Sequence, residues 1–244
     1  MTTPDPIDTL KARLESLADP ARAAGMRAYQ RDQFDFLGVA SPVRRALVKE
    51  WAPSLPWPEL LELAGRLWME APREYQYAAI DLLALRRKQL PIEAIGPLLE
   101  LARRKPWWET VDGMAGVIGK LVRAHQAPGA QAMMDGLLAD ESFWIRRIAM
   151  LHQLGWRLET DEARLFGYAL QLAPEREFFI RKAIGWALRD YAKWAPQAVS
   201  NFVAAHEGAF SSLTVREATK HLRAALPAHP GSNTGTTGRR TGRS

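Results

Sequence analysis

Residues 179–190 read FIRKAIGWALRD, and residues 144–155 read WIRRIAMLHQLG. Each stretch opens on an aromatic and an isoleucine, follows with two cations, and then places apolar residues three and four apart. That is the period of an amphipathic helix. Working outward, the pattern returns as PREYQYAAIDLL, WETVDGMAGVIG and TVREATKHLRAA. The five copies begin at 72, 108, 144, 179 and 214, at intervals of 36, 36, 35 and 35 residues. A less regular copy, PVRRALVKEW, begins at Pro42. Between copies lies a second helical segment, such as GAQAMMDGLLAD or EARLFGYALQLA. One helix pair cannot bury its apolar face alone, whereas stacked pairs can. A fixed period of two helices per unit therefore predicts an all-α fold, an α-solenoid of HEAT-like helix pairs with a concave face. The tetratricopeptide consensus is absent, and sustained β-branched alternation is missing, which argues against strands.

Local punctuation agrees. SPVRRALVKEW places Ser41 at a cap and Pro42 at the first helical position. LPIEAIGPLLELARRK starts at Pro91, and Pro97 must kink or interrupt it. The repeat domain is expected over residues 1–226. The remainder, 227–244, ends in GSNTGTTGRRTGRS, a Gly/Thr/Ser-rich basic tail too polar to bury a core and expected to be disordered.

Composition narrows the function. The chain has 244 residues, no cysteine and a net charge of +6. Lacking cysteine, it has no disulfides, thiolate zinc sites, iron–sulfur ligation or cysteine nucleophile. Its five histidines show no metal-ligand spacing, so no metal and no cofactor is expected. No apolar run is long enough to cross a membrane, and the N-terminus lacks a signal pattern, so a cytoplasmic protein is expected, and a monomer. The basic balance points to a polyanionic partner. Arg239, Arg240 and Arg243, however, place half the excess in the tail.

Within the repeats, Arg44, Arg45, Arg73, Arg146, Arg147, Arg181, Lys182 and Arg216 fall in the first two turns of their helices. The helix dipole disfavours cations there by a few tenths of a kcal/mol each. A conflict repeated in most units has two readings. The cations form a phosphate-binding column along one edge of the concave face, making it basic, or they pair with nearby acids such as Glu141 or Glu177.

The 179–190 helix buries Phe179, Ile180, Ala183, Ile184, Ala187 and Leu188 on one stripe. Trp186 lies off it, with Lys182, Arg189 and Lys193, either as a ligand-contacting residue or packed on a neighbouring repeat. On the 108–119 helix, Asp112 stands one turn after Trp108, on the flank of Gly116 and Gly119. These glycines would leave a shallow strip where a ligand reaches the carboxylate; alternatively, Asp112 bonds to a neighbouring helix start. His152 lies near the core stripe and reads as a hydrogen-bonded boundary residue.

The segments MRAYQRDQFDFLGVASPVRRALVKEW, REYQYAAIDLL, WWETVD, FWIRRIAMLHQL and FFIRKAIGWALRDYAK, between about Met26 and Leu226, resemble the bacterial DNA alkylation repair enzymes of the AlkD type. These are HEAT-like-repeat DNA glycosylases that excise N3- and N7-alkylated purines from double-stranded DNA. The resemblance implies that Trp108, Asp112 and Trp186 form the catalytic group, with Arg147 and Arg189 holding the DNA backbone beside the lesion. It also implies excision without flipping the base. One departure is Glu109, where the family pattern carries aspartate; its flank, opposite Trp108, predicts a structural contact. A non-catalytic HEAT-like protein that binds damaged or branched DNA, and a scaffold for an acidic peptide, are the alternatives.

Overall fold

A computed structural model describes residues 5–125 and 128–222. The helices are α1 (Pro6–Glu15), α2 (Pro20–Tyr29), α3 (Ser41–Trp51), α4 (Trp57–Met69), α5 (Arg73–Arg86), α6 (Ile95–Ala102) and α7 (Trp108–His125). They continue as α8 (Pro128–Gly136), α9 (Phe143–Leu151), α10 (Glu162–Leu172), α11 (Phe178–Ala192), α12 (Pro196–Ala205) and α13 (Ser212–Thr219). Among the described residues there is no strand. The tail at 227–244 lies outside the described residues.

The repeat register survives intact. α5, α7, α9, α11 and α13 begin within two residues of the five sequence copies. With α3 they form one row in which each helix packs on the next, while α4, α6, α10 and α12 back onto it. A continuous apolar core runs the length of the stack from Ile7 to Leu222. Caps fix where several helices start: Asp19 accepts from the Arg22 N–H at 3.0 Å, Asp161 from Arg164 at 2.9 Å, and Ser211 from Thr214 at 3.1 Å. One local expectation is corrected: Ser41 begins α3 instead of capping it, and its side chain makes no cap bond. The segment from Pro91 is interrupted, as expected: residues Ile92–Ala94 form a 3-10 turn, and Pro97 sits in the first turn of α6, where it needs no amide partner.

The repeats are also linked by charge. Arg44 donates to Asp81 at 2.8 Å, Arg73 to Glu109 at 2.8 Å, Arg103 to Asp140 at 2.9 Å and Arg147 to Asp112 at 2.7 Å. Lys182 donates to Glu217 at 2.6 Å. Partners lie 35 to 37 residues apart, so each link spans one repeat. This corrects the expectation of an open column of cations. Arg73 is 0% exposed and spends its donors on Glu109, Thr110 and the Lys105 carbonyl. Arg44 is buried on Asp81, and Arg146 forks onto Glu175 at 2.7 and 2.8 Å. Freeing such a guanidinium would leave its partly buried acid unpaired. The repeated clash with the helix dipole is explained by inter-repeat ion pairs. Arg45 also meets Asp81, at 3.6 Å, but its side chain is 69% exposed, and Arg216 is exposed.

Candidate active site

Trp107 and Trp108 open α7 in opposite senses. Trp107 turns into the core, with its ring centre 5.8 Å from Trp144 and 5.5 Å from Phe179, and its indole N–H donates to Gln30 at 2.9 Å. Trp108 is half-buried and meets Tyr29 edge to face at 5.8 Å. One helical turn on, Asp112 receives a two-pronged donation from Arg147 of α9. Nε lies 2.7 Å from Oδ1 and Nη2 lies 2.9 Å from Oδ2. The third arm of the same guanidinium, Nη1, donates to the Phe179 carbonyl of α11. Arg147 is therefore a buried bracket joining three repeats, at 1% exposure, and not the flank residue expected for the DNA backbone. Asp112 is not sealed in with it: 23% of its side chain remains exposed.

α11 supplies the other wall. Trp186 is half-buried and lies off the core stripe. The Arg147 guanidinium carbon is 5.2 Å from its ring centre, Lys182 Nζ is 5.2 Å away and the Arg189 guanidinium 5.9 Å away. All three are within cation–π range, where each contact contributes roughly 0.5–2 kcal/mol. Lys193, on the same stripe by sequence, instead bonds Asp190 at 2.7 Å. Arg181 donates to the Glu175 carbonyl at 2.9 Å.

Trp108, Arg147 and Trp186 thus line a single open cavity of about 290 Å³ with Tyr29, Arg31 and Phe179, and Asp112 stands one hydrogen bond behind Arg147. A larger cavity, about 520 Å³, lies beyond Tyr29 against Phe36, Arg44, Tyr77 and Glu109, and Asp112 does not line it.

Electrostatics divide the acids. Burial pushes the Asp112 carboxyl above the ordinary aspartate value, and the Arg147 fork opposes that shift. Glu217 is held below its ordinary value by Lys182 and then Arg189, against some burial. His152 is buried, with Nδ1 2.6 Å from the Ala149 carbonyl. Burial lowers its pKa to about 4, so it is neutral near pH 7 and takes the structural role expected of it.

The glycine flank is only partly clear. A Cβ on Gly116 would meet open space. One on Gly119 would lie 1.8 Å from the His152 carbonyl oxygen, and one on Gly113 3.0 Å from Ile80. Gly119 therefore serves the close approach of α9 to α7 and corrects the expectation of a ligand strip there. Glu109 accepts from Arg73 and, at 3.1 Å, from the Tyr77 hydroxyl, a structural contact as its flank predicts.

Sequence reasoning gave no role to Tyr29, Arg31 or Glu217. Arg31 and Asp32 both adopt φ 58°, a left-handed turn in non-glycine residues that carries Arg31 to the cavity. No residue-type signal marks that turn. Glu217 was findable. It occupies the repeat position held by Arg147 and Lys182 in the two preceding copies, with the charge reversed.

A family model described as DNA alkylation repair enzyme matches residues 10–222. A predicted DNA alkylation repair enzyme from Enterococcus faecalis is 32% identical and superposes with a TM-score of 0.78, covering 84% of this chain and 96% of that one. AlkD2 from Streptococcus mutans, 16% identical, shares the fold with a TM-score of 0.60, over 75% of this chain and 90% of its own. A search of curated proteins gives no match.

Proposed function

The chain belongs to the DNA alkylation repair enzyme family, and on that premise we propose that it is a monofunctional DNA glycosylase. Its substrates would be cationic N3- and N7-alkylated purines in duplex DNA. The observation that supports this reading is the cavity walled by Trp108 and Trp186, with the partly exposed Asp112 behind it.

A purine alkylated at N3 or N7 already carries a positive charge. When its bond to C1′ breaks, the electron pair moves into the base and neutralises it, so little acid catalysis is needed. The positive charge then appears on the deoxyribose, as in other oxocarbenium-like cleavages. Asp112 stabilises that charge and orients the water whose oxygen adds to C1′. The faces of the two indoles embrace the sugar. Arg147 holds Asp112 in place, while Lys182, Arg189, Arg45, Arg181 and Arg216 supply cations toward the phosphates. An open, shallow cavity suits excision from a base that stays stacked.

The test is release of 7-methylguanine from methylated duplex. Asp112→Asn should lower release by at least 10²-fold and leave DNA affinity within a few-fold. Undiminished release would remove Asp112 from the mechanism. One observation favours a second reading: both Asp112 oxygens are already bonded to Arg147, which is what a purely structural acid would show. A wild-type chain that binds damaged duplex with steep salt dependence but frees no base would be that non-catalytic binder.

A further inference from the structure

The Trp186 indole N–H and the two cations beside its ring converge on one carboxylate that has no part in the chemistry above. Lys182 Nζ lies 2.6 Å from Oε1 of Glu217, Arg189 Nη1 lies 2.6 Å from Oε2, and the Trp186 indole N–H donates to Oε2 at 3.1 Å. We propose that Glu217, presented by α13, is a positioning residue of the active site: it fixes the plane of Trp186 and offsets the two cations beside that ring. The inference rests on the glycosylase reading.

The helix contact is built for this carboxylate. A Cβ on Gly185, next to Trp186, would lie 2.5 Å from Glu217 Cβ and 3.0 Å from the Thr214 carbonyl oxygen. Only glycine lets α13 approach closely enough for the carboxylate to reach the indole N–H. Charge supplies the second argument. The reaction creates positive charge on the sugar, and three cations stand around Trp186. Asp112 neutralises Arg147, and Glu217 partly neutralises Lys182 and Arg189. Without Glu217, two unbalanced cations would oppose the developing charge. Both keep further N–H donors for a phosphate without releasing Glu217.

The experiment uses the full chain with Glu217→Gln, which keeps an acceptor for the indole but loses the charge, and Glu217→Ala, which loses both. Single-turnover release of 7-methylguanine is measured at saturating protein, and duplex affinity is measured across salt. The release rate should fall roughly tenfold in the glutamine variant and up to about a hundredfold in the alanine variant. The log–log salt slope should steepen by about 1 in both, because losing the Glu217 carboxylate raises the net positive charge facing the phosphates by one. A residue that only braces α13 would lower thermal stability and leave rate and slope alone, and that result overturns the proposal. So does a rate loss fully restored by more protein. If the alanine variant does not fold, the glutamine variant decides. A wild-type chain that frees no base overturns the glycosylase reading instead, and the salt slope of Glu217→Gln then decides the charge-offsetting role by itself.

Discussion

Two arginine-to-acid links, one between α5 and α7 and one between α7 and α9, use the same parts for different ends. In the first, Arg73 is wholly enclosed and its partner Glu109 has an 11% exposed side chain, also held by the Tyr77 hydroxyl. In the second, Arg147 is as deeply placed, but its partner Asp112 keeps 23% of its side chain open, with the Trp108 and Trp186 rings nearby. Both links stitch repeats together. Asp112 is the more exposed of the two acids and stands one hydrogen bond from the cavity walled by Trp108 and Trp186, whereas Glu109 lines the separate cavity beside Tyr77. In this solenoid the catalytic candidate differs from the structural brace by its exposure and by the cavity it adjoins, since both are carboxylates held by an arginine.

Substitutions can break or sharpen that contrast. The largest effect is expected at the closed link. Arg73→Ala removes a fully buried guanidinium, leaves Glu109 unpaired and should cost about 3–5 kcal/mol of stability in urea unfolding; a loss under 1 kcal/mol would mean the link does not hold the repeats together. Next comes the helix approach beside the open link. Gly119→Ala drives a methyl into the His152 carbonyl and should cost about 1–3 kcal/mol, whereas Gly116→Ala, facing open space, should be neutral or stabilising by up to about 1 kcal/mol. Equal thermal shifts for the two would contradict the packing of α9 on α7.

The open acid also predicts a pH dependence of the proposed activity. In the proposed mechanism the ionised form of Asp112 is the active one, and burial raises its carboxyl pKa above the ordinary value of 3.8. Activity should therefore be full at neutral pH and fall about tenfold per unit once pH drops below that raised value. After subtraction of uncatalysed release, the acidic limb should lie above pH 3.8. A limb at or below that value would show an acid unaffected by burial. The smallest effect is expected at the far wall. Trp186→Ala removes one aromatic face worth roughly 0.5–2 kcal/mol, so the rate should drop several-fold and preference for damaged over normal duplex should narrow. An unchanged preference would place Trp186 outside the lesion contact.

Much of this was legible beforehand. The 35- to 36-residue spacing of WETVDGMAGVIG, WIRRIAMLHQLG and FIRKAIGWALRD is a local property of the chain, and so is the apolar stripe of each helix. Helical spacing separated Trp186 from its core stripe without any knowledge of neighbours. It failed wherever the answer depended on a second helix. Arg73 and Arg147 looked like surface cations because their acids lie one repeat away. Gly119 looked like cleared surface because nothing in its own helix shows the carbonyl of α9 pressing on it.

Sequence alone determined an all-helical repeat, its register, and which residues leave the core stripe, because helical periodicity is written residue by residue. Tertiary structure decided which cations are free, which acid stays open and which glycine is a helix contact. Those depend on the offset and rotation between stacked helices, set by how their side chains interlock along the stack.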